Sequence, residues 1–149
     1  MKKTYFLIKV LTVFFFFISN GFAAKFNYFD KGKILFDKKE YEKSKIFFEK
    51  DIVFNPKSEK SYLYLAKIFN KNNNDQEQEV NLSNVILLNP KNDEAIYMLT
   101  LLKIKQSDYN GAKELIKKFN LVFISFCTKR SEMQGKFDKL IPKNAKDNN

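Results

Sequence analysis

Apolar and polar residues follow a helical spacing through most of this chain. Apolar or small side chains recur every three or four residues, as at Ser44, Phe48 and Ile52, which places them on one face of a helix. Short polar clusters that favour turns separate these stretches. The pattern predicts six helices paired into three hairpins, at about residues 26–37, 41–54, 59–70, 75–88, 93–105 and from 109 onward.

Several positions repeat with a step of 34 residues. Asn55-Pro56 and Asn89-Pro90 each end a predicted helix, because proline cannot continue a helix and restricts the residue before it. Small side chains keep the same step at Gly32, Ala66 and Thr100. This period is typical of helix–turn–helix repeats stacked into a solenoid. We therefore predict an all-α solenoid of three hairpins, at about residues 25–58, 59–92 and 93–127.

Two residues are placed to cap helices. Ser58 and Asn92 stand just before the third and fifth predicted helices. Their side-chain oxygens are of the kind that accepts a hydrogen bond from the free backbone N–H groups at a helix start. We expect both residues to be N-caps.

The C-terminal region predicts one more helix. Ser131 to Gln134 fits a capping box, with serine at the cap and glutamine three residues later. Apolar residues then recur on one stripe at Met133, Phe137, Leu140 and Ile141. We expect a short helix within residues 128–142 that covers the open end of the solenoid. The polar residues 143–149 are expected to be disordered.

The repeats resemble those of the tetratricopeptide repeat (TPR) family. The middle repeat matches at Tyr62, Leu65, Ala66, Phe69 and Pro90; the first matches at Gly32, Tyr41, Phe48 and Pro56; the third matches at Leu99, Tyr109, Ala112 and Ile116. Three positions depart from the family pattern. Lys31 replaces a usual leucine, Gln78 replaces a small residue, and Ile124 replaces the last proline. The resemblance implies a right-handed solenoid.

The resemblance also implies a binding face. In such proteins the first helix of each repeat lines a concave groove that holds an extended or helical peptide. The corresponding residues here are Phe29, Lys33, Phe36, Leu63, Lys67, Asn70, Tyr97, Leu101 and Ile104. This apolar and basic mixture suits a partner segment with apolar anchors and an acidic or C-terminal carboxylate group. Alternatively, the ends of the chain or a second copy cover these residues.

One specialised form of this groove is not expected. Some relatives hold the C-terminal carboxylate of chaperones with a set of lysine, asparagine and arginine side chains. The corresponding positions here are Phe29, Lys33, Tyr64, Glu94 and Met98. Lys33 is the one basic residue among them, and Glu94 would repel a carboxylate.

The N-terminus has the features of an export signal. A positive start at Lys2 and Lys3 precedes an apolar stretch whose densest part, residues 10–18, is shorter than the ~20 residues that span a bilayer. Gly21 and Ala23 fit the small-x-small cleavage pattern. We predict a signal peptide over residues 1–23 and an exported bacterial protein, periplasmic or secreted. The alternative is a retained membrane anchor.

Composition argues against catalysis. The chain has no histidine, one cysteine, Cys127, and four glycines, so no histidine-based catalytic group, zinc cluster or glycine-rich phosphate loop is expected.

Removing residues 1–23 removes three lysines and lowers the formal charge from +10 to +7. The remaining lysines are interleaved with acids, and export argues against nucleic acid as a partner. We expect no cofactor, metal or small-molecule substrate.

These observations predict a non-catalytic protein–protein interaction scaffold in the bacterial cell envelope. Two alternatives stay open. The first is a structural envelope protein whose basic charge binds anionic wall polymer or, peripherally, a membrane surface. The second is a subunit of an envelope assembly complex that uses the convex face.

Overall fold

A computed structural model describes residues 27–122, together with residues 135, 138 and 139. The predicted signal peptide, the polar tail and, apart from those three positions, the predicted capping helix lie outside the described residues. Residues 27–122 contain six helices and no strand, as the sequence predicts. The helices are α1 (Tyr28–Asp37), α2 (Tyr41–Phe54), α3 (Glu59–Lys71), α4 (Asp75–Leu88), α5 (Asp93–Lys105) and α6 (Tyr109–Val122).

The helices pack in the order of the chain. The closest pairs are α1 with α2, α3 with α4 and α5 with α6, which confirms the three hairpins. The hairpins join through contacts of α2 with α3 and of α4 with α5, and α1 also touches α3. Each hairpin thus packs on the next one along the chain, as a solenoid requires.

The turns inside the three hairpins share one backbone conformation. Lys39, Asn73 and Ser107 stand 34 residues apart and have φ values of 63°, 54° and 62°. In the first turn the N–H of Glu40 donates to the carbonyl of Leu35 at 2.9 Å, and the other two turns repeat this bond. The pattern is a Schellman motif, in which a left-handed residue lets the chain reverse after a helix.

Helix starts agree only partly with the predicted caps. Asn92 caps α5 as predicted, because its side-chain oxygen accepts from the N–H of Ala95 at 2.8 Å. Asn27 caps α1 in the same way, so the helix begins at Tyr28 rather than at residue 26. Ser58 is the N-cap residue of α3, as predicted, but its side chain makes no capping bond. Its hydroxyl donates instead to the carboxylate of Asp51 on α2.

The small residues of the 34-residue series lie where helices approach closely. A Cβ atom on Gly32 would come within 2.7 Å of the ring of Phe48, which is fully buried between α1, α2 and α3. Ala66 and Thr100, at the equivalent positions of the next two hairpins, are also fully buried. Small side chains at this step of the repeat therefore fit the close packing of the helices.

Two departures from the repeat pattern have structural explanations. Lys31 is exposed, because no earlier hairpin packs on α1 among the described residues. Ile34 on the same helix is 56% exposed, whereas Ile68 and Leu102, one and two periods later, are buried. Gln78 keeps the regular register of α4 and is buried, at 4% exposure.

Most of the core lies in the second and third hairpins. A cluster of ten buried residues joins α3 to α6: Leu63, Ala66, Leu82, Val85, Ile86, Ala95, Ile96, Leu99, Leu102 and Phe119. Among the described residues, no helix is both long enough and apolar enough to cross a membrane.

Candidate functional site

The first helix of each hairpin carries three of the nine predicted binding residues. They form three rows with the 34-residue step: Phe29, Leu63 and Tyr97; Lys33, Lys67 and Leu101; and Phe36, Asn70 and Ile104. We call the surface that α1, α3 and α5 form the first-helix face. Leu63 belongs to the core at 9% exposure, Asn70 is exposed, and the other seven are partly buried.

An aromatic cluster occupies the α1–α3 half of this face. The ring of Tyr64 lies 4.9 Å from that of Phe36, 5.7 Å from that of Phe29 and 5.0 Å from that of Phe48, measured between centroids. Phe36 also meets Tyr41 at 5.3 Å. Sequence reasoning included Phe29 and Phe36 but omitted Tyr64 and Tyr41 from the binding residues. The spacing of the aromatic residues on α1 and α3 was the signal that could have found Tyr64.

Lysine side chains surround this aromatic cluster. The ammonium group of Lys60 lies 5.8 Å from the ring centroid of Phe29, and that of Lys71 lies 5.0 Å from the ring of Tyr41. Such cation–π contacts hold a charge over an apolar surface. Within residues 27–122, neither Lys60 nor Lys71 has a carboxylate partner. These two cations are therefore available to an acidic ligand.

The two lysines among the nine predicted residues, Lys33 and Lys67, are paired. Lys67 lies over the ring of Tyr64 at 4.9 Å and forms an ion pair with Glu94 at 2.9 Å. Lys33 bonds Asp37 at 2.7 Å, and this hydrogen bond raises the pKa of Lys33. Their positive charges are partly compensated inside the protein.

The α5 half of the face is mostly aliphatic. Tyr97, Leu101 and Ile104 pack against Ile116 of α6. These side chains line the first-helix face and also support the third hairpin. Replacing them with alanine would therefore also lower the stability of this hairpin.

Two cavities in the described part of the chain are lined partly by residues of this face. One of about 650 Å³ lies between the start of α1, the end of α2 and the start of α3, and both Phe29 and Lys60 line it. A smaller one, of about 120 Å³, is lined by Asn70, Gln78, Met98, Leu101, Leu102 and Lys105. It brings together two of the predicted residues, Asn70 and Leu101.

The second helices carry exposed apolar residues that sequence reasoning missed. Ile46, Val53 and Phe54 of α2 recur 34 residues later as Val80, Leu87 and Leu88 of α4. Val53 and Phe54 are each 73% exposed, and Leu87 is 78% exposed. We call these six residues the second-helix apolar row.

The part of the chain that the structure describes shows no cluster of three or more histidine, cysteine, aspartate or glutamate residues placed to hold a metal ion. The first-helix face instead offers rings, aliphatic side chains, ammonium groups and amides. Such groups interact with other molecules through packing, ion pairs and hydrogen bonds.

A solved TPR domain superposes on this arrangement. The first TPR domain of Spaghetti (RPAP3), bound to the HSP90 peptide SRMEEVD, matches with a TM-score of 0.60 and 12% identity, over 74% of this chain and 90% of that one. The fold is that of a tetratricopeptide repeat domain. The Sgt2 TPR domain from Aspergillus fumigatus gives a TM-score of 0.59 and 17% identity, over 75% and 78% of the two chains.

These likenesses establish the all-α, right-handed TPR solenoid that the sequence predicts. At 12% and 17% identity they concern the fold alone. No family model matches the sequence, and no curated protein matches it significantly.

Proposed function

We propose that this protein is a non-catalytic scaffold that binds an acidic segment of a partner protein on its first-helix face. The observation that carries the proposal is the aromatic cluster around Tyr64, with Lys60 and Lys71 over its rim. The rings offer a surface for apolar anchors, and the two lysines attract carboxylates. The TPR fold supports the proposal, because a domain of this fold holds the peptide SRMEEVD in RPAP3.

The geometry favours an internal acidic segment over a free C-terminus. Tyr64 and Glu94 stand at two of the positions that the chaperone-binding relatives use for a terminal carboxylate. Glu94 is paired with Lys67 at 2.9 Å, so its negative charge lies in the middle of the face. A terminal carboxylate placed there would be repelled, whereas acidic side chains near Lys60 and Lys71 would not.

The proposed setting is the bacterial cell envelope. Its support is the N-terminal sequence, with two lysines, a short apolar stretch and a small-x-small pattern ending at Ala23. Expression in a bacterium followed by cell fractionation and N-terminal sequencing tests this. A periplasmic or secreted chain that begins at Ala24 is expected. A full-length chain in the cytoplasm would overturn the proposed setting.

Peptide selection tests the proposed activity. A library of displayed random peptides is selected on the immobilised protein, and acidic peptides with aromatic or aliphatic residues are expected to be enriched. The Lys60→Gln/Lys71→Gln variant should bind a selected peptide about tenfold more weakly, since two ligand-facing charges are lost. Lys117→Gln/Lys118→Gln removes two exposed charges from α6 and serves as the matched control, with a change below about twofold. Equal losses in both variants would indicate general charge attraction and favour the anionic-polymer alternative.

The second-helix apolar row supports a second candidate, a subunit that docks onto an envelope assembly. Exposed apolar patches that repeat along a surface often mark interaction sites. Val53→Ser/Leu87→Ser removes two of its most exposed members and should leave folding intact. If the protein is such a subunit, the wild-type chain should co-elute with the assembly in chromatography. The variant should elute apart from the assembly. Unchanged co-elution would exclude the candidate.

A further inference from the structure

Gln78 occupies a position that the other two hairpins fill with small residues. Ser44 and Ala112 stand one period before and after it, and both are fully buried. Gln78 is also buried, at 4% exposure, although its side chain is much larger. A large polar side chain therefore lies at a position where serine or alanine is sufficient for close helix packing.

The amide of Gln78 has no hydrogen-bond partner within the described part of the chain. By contrast, the hydroxyl of Ser44 donates to the carbonyl of Gly32 at 2.8 Å. Among the described residues no side-chain nitrogen or oxygen that is sealed from solvent lacks a hydrogen-bond partner, so the Gln78 amide still reaches solvent. Gln78 lines the cavity of about 120 Å³ described above, so a molecule entering that cavity would replace solvent at this amide.

The cavity has apolar walls and a neutral polar lining. Met98, Leu101 and Leu102 provide the walls, and the exposed amide of Asn70 lies at the mouth. Lys105 also lines the cavity, but its ammonium group is bonded to Asp75 at 2.6 Å. Its charge is therefore already compensated. A liquid water occupies ~30 Å³, so the cavity holds a few waters or one side chain of moderate size.

We propose that this cavity is a specificity pocket for a glutamine or asparagine side chain of the partner. A second amide can both donate to and accept from the amide of Gln78, while its apolar stem lies along Met98 and Leu101. A leucine would leave the Gln78 amide without a bond. A carboxylate would meet no uncompensated cation, since Lys105 is held by Asp75. The proposal rests on the proposed function, because Asn70 and Leu101 belong to the first-helix face.

Two substitutions of Gln78 test the pocket. Gln78→Ala restores the small residue that Ala112 provides in the third hairpin, and Gln78→Leu makes the pocket apolar at nearly the same volume. Thermal unfolding followed by circular dichroism checks that both variants remain folded. Gln78→Ala keeps the test decisive if the bulkier Gln78→Leu fails this check.

The test is selection from a displayed random-peptide library on the full-length wild type and on each variant. Wild type should enrich glutamine or asparagine at one position, at a constant distance from the acidic residues. Gln78→Leu should select leucine or methionine at that position and leave the acidic preference unchanged, and Gln78→Ala should lose the amide preference. For one selected peptide, replacing its glutamine by leucine should weaken wild-type binding about tenfold and strengthen binding to Gln78→Leu.

The outcomes separate the two proposals. If wild type selects acidic peptides but shows no amide preference, or if the variants keep the same preference, the specificity pocket is refuted and the scaffold function stands. If wild type selects no peptides, both proposals are refuted.

Discussion

Asn92 donates its side-chain amide to the carboxylate of Glu59 at 2.5 Å, which ties the start of α5 to the start of α3. The same Asn92 side chain accepts from the N–H of Ala95. Asn89, at the end of α4, also donates to Glu59 at 3.0 Å. One carboxylate thus connects three helix ends across the junction between the second and third hairpins.

This junction predicts a graded loss of stability. Asn92→Ala removes both the cap and the bond to Glu59 and should lower the free energy of unfolding by about 2 kcal/mol. Asn92→Ser keeps a capping oxygen and should lose about 1 kcal/mol. Urea unfolding of the three proteins measures the difference. Values within about 0.5 kcal/mol of wild type for both variants would show that the junction contributes little.

The left-handed turn residues predict stabilising substitutions. Lys39 and Ser107 have positive φ values. The Cβ atom of an ordinary residue makes this conformation unfavourable, and glycine has no Cβ atom. Lys39→Gly and Ser107→Gly should each raise the free energy of unfolding by about 0.5–1 kcal/mol. Asn73→Gly should gain less, since asparagine tolerates this conformation. Lys38→Gly is the control, because Lys38 has φ −79° and glycine there should destabilise the helix end. A loss of stability in both Lys39→Gly and Ser107→Gly would contradict the turn geometry.

Because Gly32 lies against the ring of Phe48, we predict that position 32 does not tolerate even one added methyl group. Gly32→Ala should lower stability by about 1–3 kcal/mol, although alanine is the better helix former, because the buried ring must move. Gly135→Ala is the matched control, since a Cβ there meets nothing within 4 Å. Thermal unfolding of the two variants distinguishes them. A stabilised Gly32→Ala would mean that α1 and α2 are further apart than described.

The ion pair between Glu79 and Lys103, at 2.6 Å, predicts a pH dependence. The hydrogen bond from Lys103 lowers the pKa of Glu79 below its ordinary value of 4.5. Its contribution to stability is therefore present above that ordinary value and is lost as the pH falls through the lowered pKa. Glu79→Gln should cost below about 1 kcal/mol near neutral pH, since the pair is partly exposed. The difference from wild type should shrink as the pH falls through the lowered pKa of Glu79. A difference that is unchanged at acid pH would show that packing, not charge, is responsible.

The period of the sequence was sufficient to predict the fold. Because Asn55-Pro56 and Asn89-Pro90 end helices for local reasons, the bounds predicted for α2 and α4 agree with the structure. The N-cap position of Ser58 was predicted correctly but its side-chain bond was not, because the carboxylate that binds its hydroxyl belongs to Asp51 on the preceding helix. Local sequence contains no information on that contact.

The candidate site was predictable only in outline. The repeat assigns Phe29 and Asn70 to the same face, but which side chains are covered depends on packing between hairpins. Leu63 sits in the same row as Phe29 and yet belongs to the core. Gln78 was visible in the sequence only as a departure from the pattern, because the burial of its side chain is a property of the assembled helices.

The most direct test of the scaffold claim is site-specific photocrosslinking in cells that express the native protein. A photoreactive amino acid replaces Asn70 on the first-helix face, or Ser83 on α4 as the control. Both positions are exposed, so neither replacement disturbs the core. Our account predicts a discrete protein adduct from position 70 that is lost in the Lys60→Gln/Lys71→Gln background, and none from position 83. An adduct from position 83 alone would contradict the account and place the partner on the opposite side of the solenoid.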